Sequence, residues 1–168
     1  MNINNLTAKG RIKLSNPLHL LATCFGSSIL MNWMPGTAGS LVAIPLWFVL
    51  HTLLSWPLDL FVIIFSWIIG IYVCHKTACD ISIHDHSYIV WDELVGMWII
   101  LITLPHYTIT LIALSFILFR FLDIWKPWPI RWCHDQVQGG IGIMLDDVIA
   151  SIITTMILHI SGLCSAIS

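Results

Sequence analysis

Charge is what this 168-residue chain has least of. Asp, Glu, Lys and Arg make up 10 % of it, where about 25 % is usual in soluble domains. Hydrophobic residues make up 58 % and the mean hydropathy is +0.89. A soluble globule of this length would lack the polar side chains to cover itself, so the composition points to an integral membrane protein. The net charge of −2 supplies no basic field of the kind that binds nucleic acid. The five cysteines, Cys24, Cys74, Cys79, Cys133 and Cys164, contain no CxxC pair and read as apolar filler. No GK[ST] follows the one Gly-rich turn that resembles a phosphate loop, which excludes a Walker motif. Residues 1–17 are polar and basic without an apolar run, so they do not read as a cleavable signal. There is no internal repeat, low-complexity tract or linker, and 1–168 reads as one domain.

What the chain does have is apolar runs. Five stand out, over 41–54, 60–74, 94–104, 109–122 and 148–167. Most fall short of the roughly 20 residues that cross the hydrocarbon, so flanking residues must lengthen them or the bilayer must thin. A sixth run, 18–31, is broken by Gly26-Ser27-Ser28 and reads as a re-entrant or interfacial helix. The expected fold is therefore all-α: a polytopic membrane helix bundle of about five spans plus that N-terminal helix. With the N-terminus inside, as Lys9, Arg11 and Lys13 suggest, all seven basic residues fall on the cytoplasmic side. So do all of the nine acids except Asp59. The positive-inside rule accounts for the bases but not for the acids, which contribute little to topology. Trp33, Trp56, Trp91, Trp125, Trp128 and Trp132 sit at run ends, where indole prefers the interface, while Trp47, Trp67 and Trp98 are central.

Four polar patches carry the chemistry. PGTAGS (35–40) precedes the first run; Thr37 and Ser40 are placed to cap the following helix, and backbone amides at a helix start bind anions. CDISIHDHSYIVWDE (79–93) packs Asp80, His84, Asp85, His86, Asp92 and Glu93 into one segment, with Asp92 and Glu93 opening the third span. In FRFLDIWKPWPIRW (119–132), Arg120, Asp123 and Lys126 recur on one helical face before Pro127 ends the helix. They pair internally or face a phosphate. GGIGIMLDD (139–147) places Asp146 and Asp147 at the start of the last span, mirroring Asp92 and Glu93. Four carboxylates converging on one volume need protons or cations to neutralise them. A hard divalent cation, Mg²⁺, is the economical partner, because it takes oxygen ligands and binds phosphate together with carboxylates. A zinc site from His75, His84 and His86 has no standard ligand spacing. His19, His51, His106, His134 and His159 read as isolated.

Taken in order, SNPLHLLATCFGS, PGTAGSLVAIP, HDHSYIVWDELVG, FRFLDIWKPWPIRW and GGIGIMLDDVIA resemble the phosphatidylglycerophosphatase A family. The resemblance covers about residues 14–151. It departs in SSILMNWMPGT, where the family more often has a Gly-Ser and a Ser-Pro before PGT. The resemblance implies a Mg²⁺-dependent lipid phosphatase of the bacterial inner membrane. It would remove the terminal phosphate of phosphatidylglycerophosphate to leave phosphatidylglycerol, with the bilayer and its phospholipid substrate as partners and no nucleic acid. On that basis Asp92, Glu93, Asp146 and Asp147 are the expected Mg²⁺ ligands. Asp85 is the expected water-orienting base, or the nucleophile of an aspartyl-phosphate route. Asp123 and Lys126 complete the catalytic set, and Thr37, Ser40, Arg120 and Arg131 contact the substrate. The competing expectation is a proton- or cation-coupled transporter built on the acidic clusters; its difficulty is that the acids gather at one face rather than at mid-span. A structural subunit with inert acids is the third.

Overall fold

The computed structural model describes residues 11–83 and 86–166, and every regular element among them is a helix. Two short helices, α1 (Pro17–Ala22) and α2 (Ser27–Leu30), precede α3 (Pro35–Leu53) and α4 (Trp56–Ile81). Then come α5 (Trp91–Thr103), α6 (Ile109–Trp125), α7 (Ile130–Gln136), α8 (Gly139–Ile160) and α9 (Leu163–Ala166). Local chemistry sets several boundaries. The Asn16 side chain accepts from the Leu18 amide at 3.0 Å to start α1, and Thr108 does the same for Leu111 at 3.3 Å to start α6. Proline occupies the first turn of α1, α3 and α4, where no helical donor is lost. The 18–31 run is divided between α1 and α2 by a turn in which Cys24, Phe25 and Gly26 all have positive φ.

Among the described residues three helices are long and apolar enough to cross a membrane: α3 with 19 residues, α4 with 26 and α8 with 22. At 13 and 17 residues, α5 and α6 measure about 20 and 26 Å at 1.5 Å per residue, short of the ~30 Å hydrocarbon core. The five expected spans therefore divide into three full-length helices and two shorter ones. α5 is the hub: it is apolar, almost wholly buried, and packs against α3, α4, α6 and α8. Trp91, expected at the interface, is instead buried and donates its indole N–H to the Ser66 carbonyl at 3.1 Å. Trp33, Trp56, Trp125, Trp128 and Trp132 are exposed, in keeping with interfacial positions.

Two motifs read as pre-helical segments lie inside helices. PGTAGS forms the opening of α3, with Met34 at the N-cap; Thr37 and Ser40 do not cap it, and the Ser40 hydroxyl donates to the Gly36 carbonyl at 3.1 Å. GGIGIMLDD forms the first two and a half turns of α8, so Asp146 and Asp147 sit in its third turn rather than at its mouth. The reason is packing. A Cβ on Gly140 would fall 1.9 Å from the Ile71 carbonyl oxygen of α4. Glycine here is the condition for two helices to touch backbone to side, and the closeness outweighs its poor helix propensity. Likewise α4 runs on to Ile81, past the end of its apolar run, because its last turns hold α1 in place. His19 Nε2 lies 3.2 Å from Asp80 Oδ2, Lys76 Nζ lies 3.0 Å from Asp80 Oδ1, and Arg11 donates to the Ile81 carbonyl at 2.8 Å. At the opposite end of the bundle His51 Nδ1 lies 2.7 Å from the buried Asp59 Oδ2, joining the end of α3 to the start of α4.

Candidate active site

The start of α5, the end of α6, the third turn of α8 and the start of α3 meet at one end of the bundle. Asp92 and Glu93, in the first turn of α5, face Asp147 of α8. One carboxylate oxygen from each of the three lies within 4.8 Å of the others, and all three residues are buried. Asp92 Oδ1, Glu93 Oε2 and Asp147 Oδ2 are buried without a hydrogen-bond partner among the described residues. A buried carboxylate oxygen left without a donor is costly. Three buried carboxyls that each carry an unpartnered oxygen, and that each bring an oxygen to one volume, suit a hard cation.

A guanidinium borders this trio. Arg120 Nη1 donates to Asp123 Oδ2 at 2.7 Å and lies 3.5 Å from Glu93 Oε1, while its Nε is buried without a partner. Asp123 also adjoins the Asp147 carboxyl. One Arg among four acids leaves the pocket net negative, which again suits a divalent cation. Gly36 closes the pocket from α3: a Cβ there would lie 2.1 Å from Glu93 Oε1 and 2.7 Å from Arg120 Nη2. The helix start of α3, with its unsatisfied first-turn amides, is thus pressed against the charged cluster.

Asp146 belongs to a second cluster. Successive helical residues point about 100° apart, so Asp146 turns away from the trio toward α7. Lys126 Nζ makes a short contact to Asp146 Oδ2, and His134 Nδ1 lies 3.0 Å from both Asp146 Oδ2 and Lys126 Nζ. The four-acid convergence expected from sequence is therefore three acids plus one that anchors a lysine. Lys126 does not share the Arg120–Asp123 face either. α6 ends at Trp125, and Lys126 takes a left-handed backbone, φ 44°, whose N–H caps the Leu122 carbonyl. That turn redirects its side chain to Asp146.

Among the other expected residues, Arg131 lies apart from both clusters, exposed on α7 with its Nε 3.9 Å from Asp135 Oδ2. Thr37 is half-buried in the first turn of α3, close in sequence to Gly36. Asp85 and His84 lie outside the described residues. Two participants escaped the sequence reading. His134 looked isolated because its partners are 8 and 12 residues away in sequence. Gly36 looked like turn chemistry. The only signal for either was proximity to a named motif.

Comparison with known proteins places these residues in context. The family model described as Phosphatidylglycerophosphatase A matches residues 20–161. A relative from Escherichia coli (strain K12) named "Phosphatidylglycerophosphatase A" is 52 % identical over 155 residues, covering 92 % of this chain and 89 % of the relative. One of the same name from Haemophilus influenzae is 44 % identical over 147 residues, covering 88 % and 90 %. A "Putative phosphatidylinositol-3-phosphatase" from Bacteroides thetaiotaomicron is 34 % identical over 153 residues, covering 84 % and 91 %. No solved structure matches the chain significantly.

Proposed function

Because the chain belongs to the phosphatidylglycerophosphatase A family, we propose that it hydrolyses the terminal phosphate monoester of phosphatidylglycerophosphate, releasing phosphatidylglycerol and inorganic phosphate. The observation that supports this reading best is the buried trio Asp92, Glu93 and Asp147, with one unpartnered oxygen on each, set against Arg120. Mg²⁺ is the cofactor we assign to it, with those three acids as ligands. When bound, Mg²⁺ supplies a Lewis acid that polarises a phosphoryl oxygen and neutralises charge in the pocket.

The protein's own groups do the rest. Arg120, oriented by Asp123, offers donors to the phosphoryl oxygens. The opening turn of α3, around Gly36 and Thr37, directs backbone amides toward the same anion. Ser40 supports that turn through its bond to the Gly36 carbonyl. Lys126, held by Asp146 and His134, is the cation assigned to the leaving glycerol oxygen, where charge develops as the P–O bond breaks. Asp85 keeps its two candidate roles, as base for the attacking water or as nucleophile. Exposed Arg131 is assigned to anionic headgroups around the site rather than to the reacting phosphate.

In this reading α5 and α6 complete a five-span frame, their shortness compensated by local thinning of the bilayer. The site faces the cytoplasm at the inner membrane of a bacterium, and the acyl chains stay in the leaflet during the reaction. The test is phosphate release by the purified protein from phosphatidylglycerophosphate, with phosphatidylinositol 3-phosphate as the competing substrate. Release from the first at the higher kcat/KM supports the reading; release from neither ends it.

A further inference from the structure

The side chains of α3 and α6 meet, or meet each other's neighbours, at two levels and leave a gap between. At the level of the carboxylates, Gly36 of α3 is pressed against Arg120 of α6. At the far end, Tyr107, just before α6, packs edge-on against Phe48 of α3 with ring centroids 5.2 Å apart. Between these two contacts runs an open apolar groove of about 480 Å³, bordered by Leu41 and Ile44 on one side and Ile112, Ala113, Phe116 and Ile117 on the other. No titratable side chain lines it.

We propose that this groove holds one acyl chain of the lipid whose phosphate is bound at the carboxylate site. The inference rests on the phosphatase reading above and adds to it where the substrate lies. Three features single out a substrate chain over bulk lipid. The groove and the site share two helices: its lining on α6 ends at Phe116 and Ile117, within about one turn of Arg120, and on α3 it begins at Leu41, just over a turn from Gly36. Its length suits one leaflet: the lining on α6 from Ile109 to Ile117 spans about 12 Å, against roughly 15 Å for half the hydrocarbon core. Beyond its far end Tyr107 and Phe48 join the start of α6 to α3, so the gap between the two helices does not run on past that contact. A lipid lying there would have its headgroup at Arg120 and its tail parallel to α6, with no need to leave the bilayer.

Ala113 is the smallest side chain on the α6 wall, and it is exposed. Ala113→Trp would fill the groove without crowding the core, and Ile44→Trp would do so from the opposite wall. Ile68→Trp is the control, because Ile68 lines a separate groove of about 470 Å³ between α4 and α8. Phosphate release is measured from dipalmitoyl and dihexanoyl phosphatidylglycerophosphate in the same detergent micelles. Both groove variants are expected to lower kcat/KM for the long-chain lipid about tenfold, the equivalent of roughly two displaced methylenes. The short-chain lipid should change less than about twofold, and Ile68→Trp should leave the ratio between the lipids unchanged. A diazirine near the end of the long acyl chain should label wild-type α6 over 109–117, and Ala113→Trp should remove that label.

If the wild type releases no phosphate from either lipid, the phosphatase reading fails and the groove assignment with it. If the wild type is active on both, three results overturn the groove alone. These are an unchanged chain-length ratio in Ala113→Trp and Ile44→Trp, a shifted ratio only in Ile68→Trp, or labelling that avoids α6.

Discussion

Asp146 and Asp147 are consecutive in the chain and serve different clusters. Asp147 joins Asp92 and Glu93 around three unpartnered oxygens, while Asp146 is engaged by Lys126 and His134. Exchanging either acid for its amide should therefore give different defects. Asp147→Asn should abolish measurable turnover and metal binding together. Asp146→Asn should lower kcat by about 10–100-fold, the range seen when a supporting group is lost, while leaving the metal dependence close to wild type. Steady-state kinetics over a Mg²⁺ series separates the two: Asp146→Asn should keep the wild-type metal midpoint, while Asp147→Asn should stay inactive at every Mg²⁺ concentration.

Gly36 carries the contact between α3 and the charged pocket. An added methyl would overlap Glu93 Oε1 at 2.1 Å, so either Glu93 and Arg120 are displaced or α3 retreats. Gly36→Ala should lower kcat/KM by more than about tenfold, because misplacing a positioned group by an ångström is that costly. The protein should still be folded in detergent by circular dichroism.

The helical start of α8 makes a prediction about stability. Gly140→Ala places a methyl 1.9 Å from the Ile71 carbonyl oxygen, which forces α4 and α8 apart. Overpacking of this kind costs about 1–3 kcal/mol. The loss should appear as a lower unfolding midpoint in a thermal scan than that of the wild type.

Cysteine accessibility tests both burial and sidedness. Of the five thiols only Cys79 is exposed. Burial pushes the Cys24 thiol up to about 12, and burial with the nearby Asp146 carboxylate raises that of Cys133. Both should stay protonated and slow toward maleimide at pH 8, since the thiolate is the reactive form. Cys79 should be labelled first, and by a membrane-impermeant maleimide only when the cytoplasmic face is presented, as in inverted vesicles. Labelling in intact spheroplasts would reverse the topology.

Much of this was legible in the sequence, because a membrane chain advertises its exceptions. With so little charge available, Asp92, Glu93, Arg120, Asp123 and Asp147 were conspicuous, and they do meet. Aromatic placement was mostly readable for the same reason, Trp91 excepted, since a run boundary says nothing about which face a helix turns inward. What escaped was geometry that depends on partners. GGIGIMLDD placed Asp146 and Asp147 at the start of the last span because the apolar run begins only at Val148, whereas the helix starts at Gly139 and packs Gly140 against Ile71 across the interface. The Lys126 side chain was misdirected because a regular helix was extrapolated one residue past its left-handed cap. His134 needed the fold to reveal that α7 folds back beside Asp146.

Asp92, Glu93 and Asp147, each with a buried unpartnered oxygen, are the residues proposed to hold a divalent cation. Mn²⁺ binding to the purified protein, followed by electron paramagnetic resonance with Mg²⁺ as competitor, tests it without reference to activity. The account predicts one saturable Mn²⁺ site displaced by Mg²⁺, lost in Asp92→Asn and Asp147→Asn, and retained in Asp146→Asn. Saturable binding that survives Asp147→Asn, or no binding in the wild type, would contradict it.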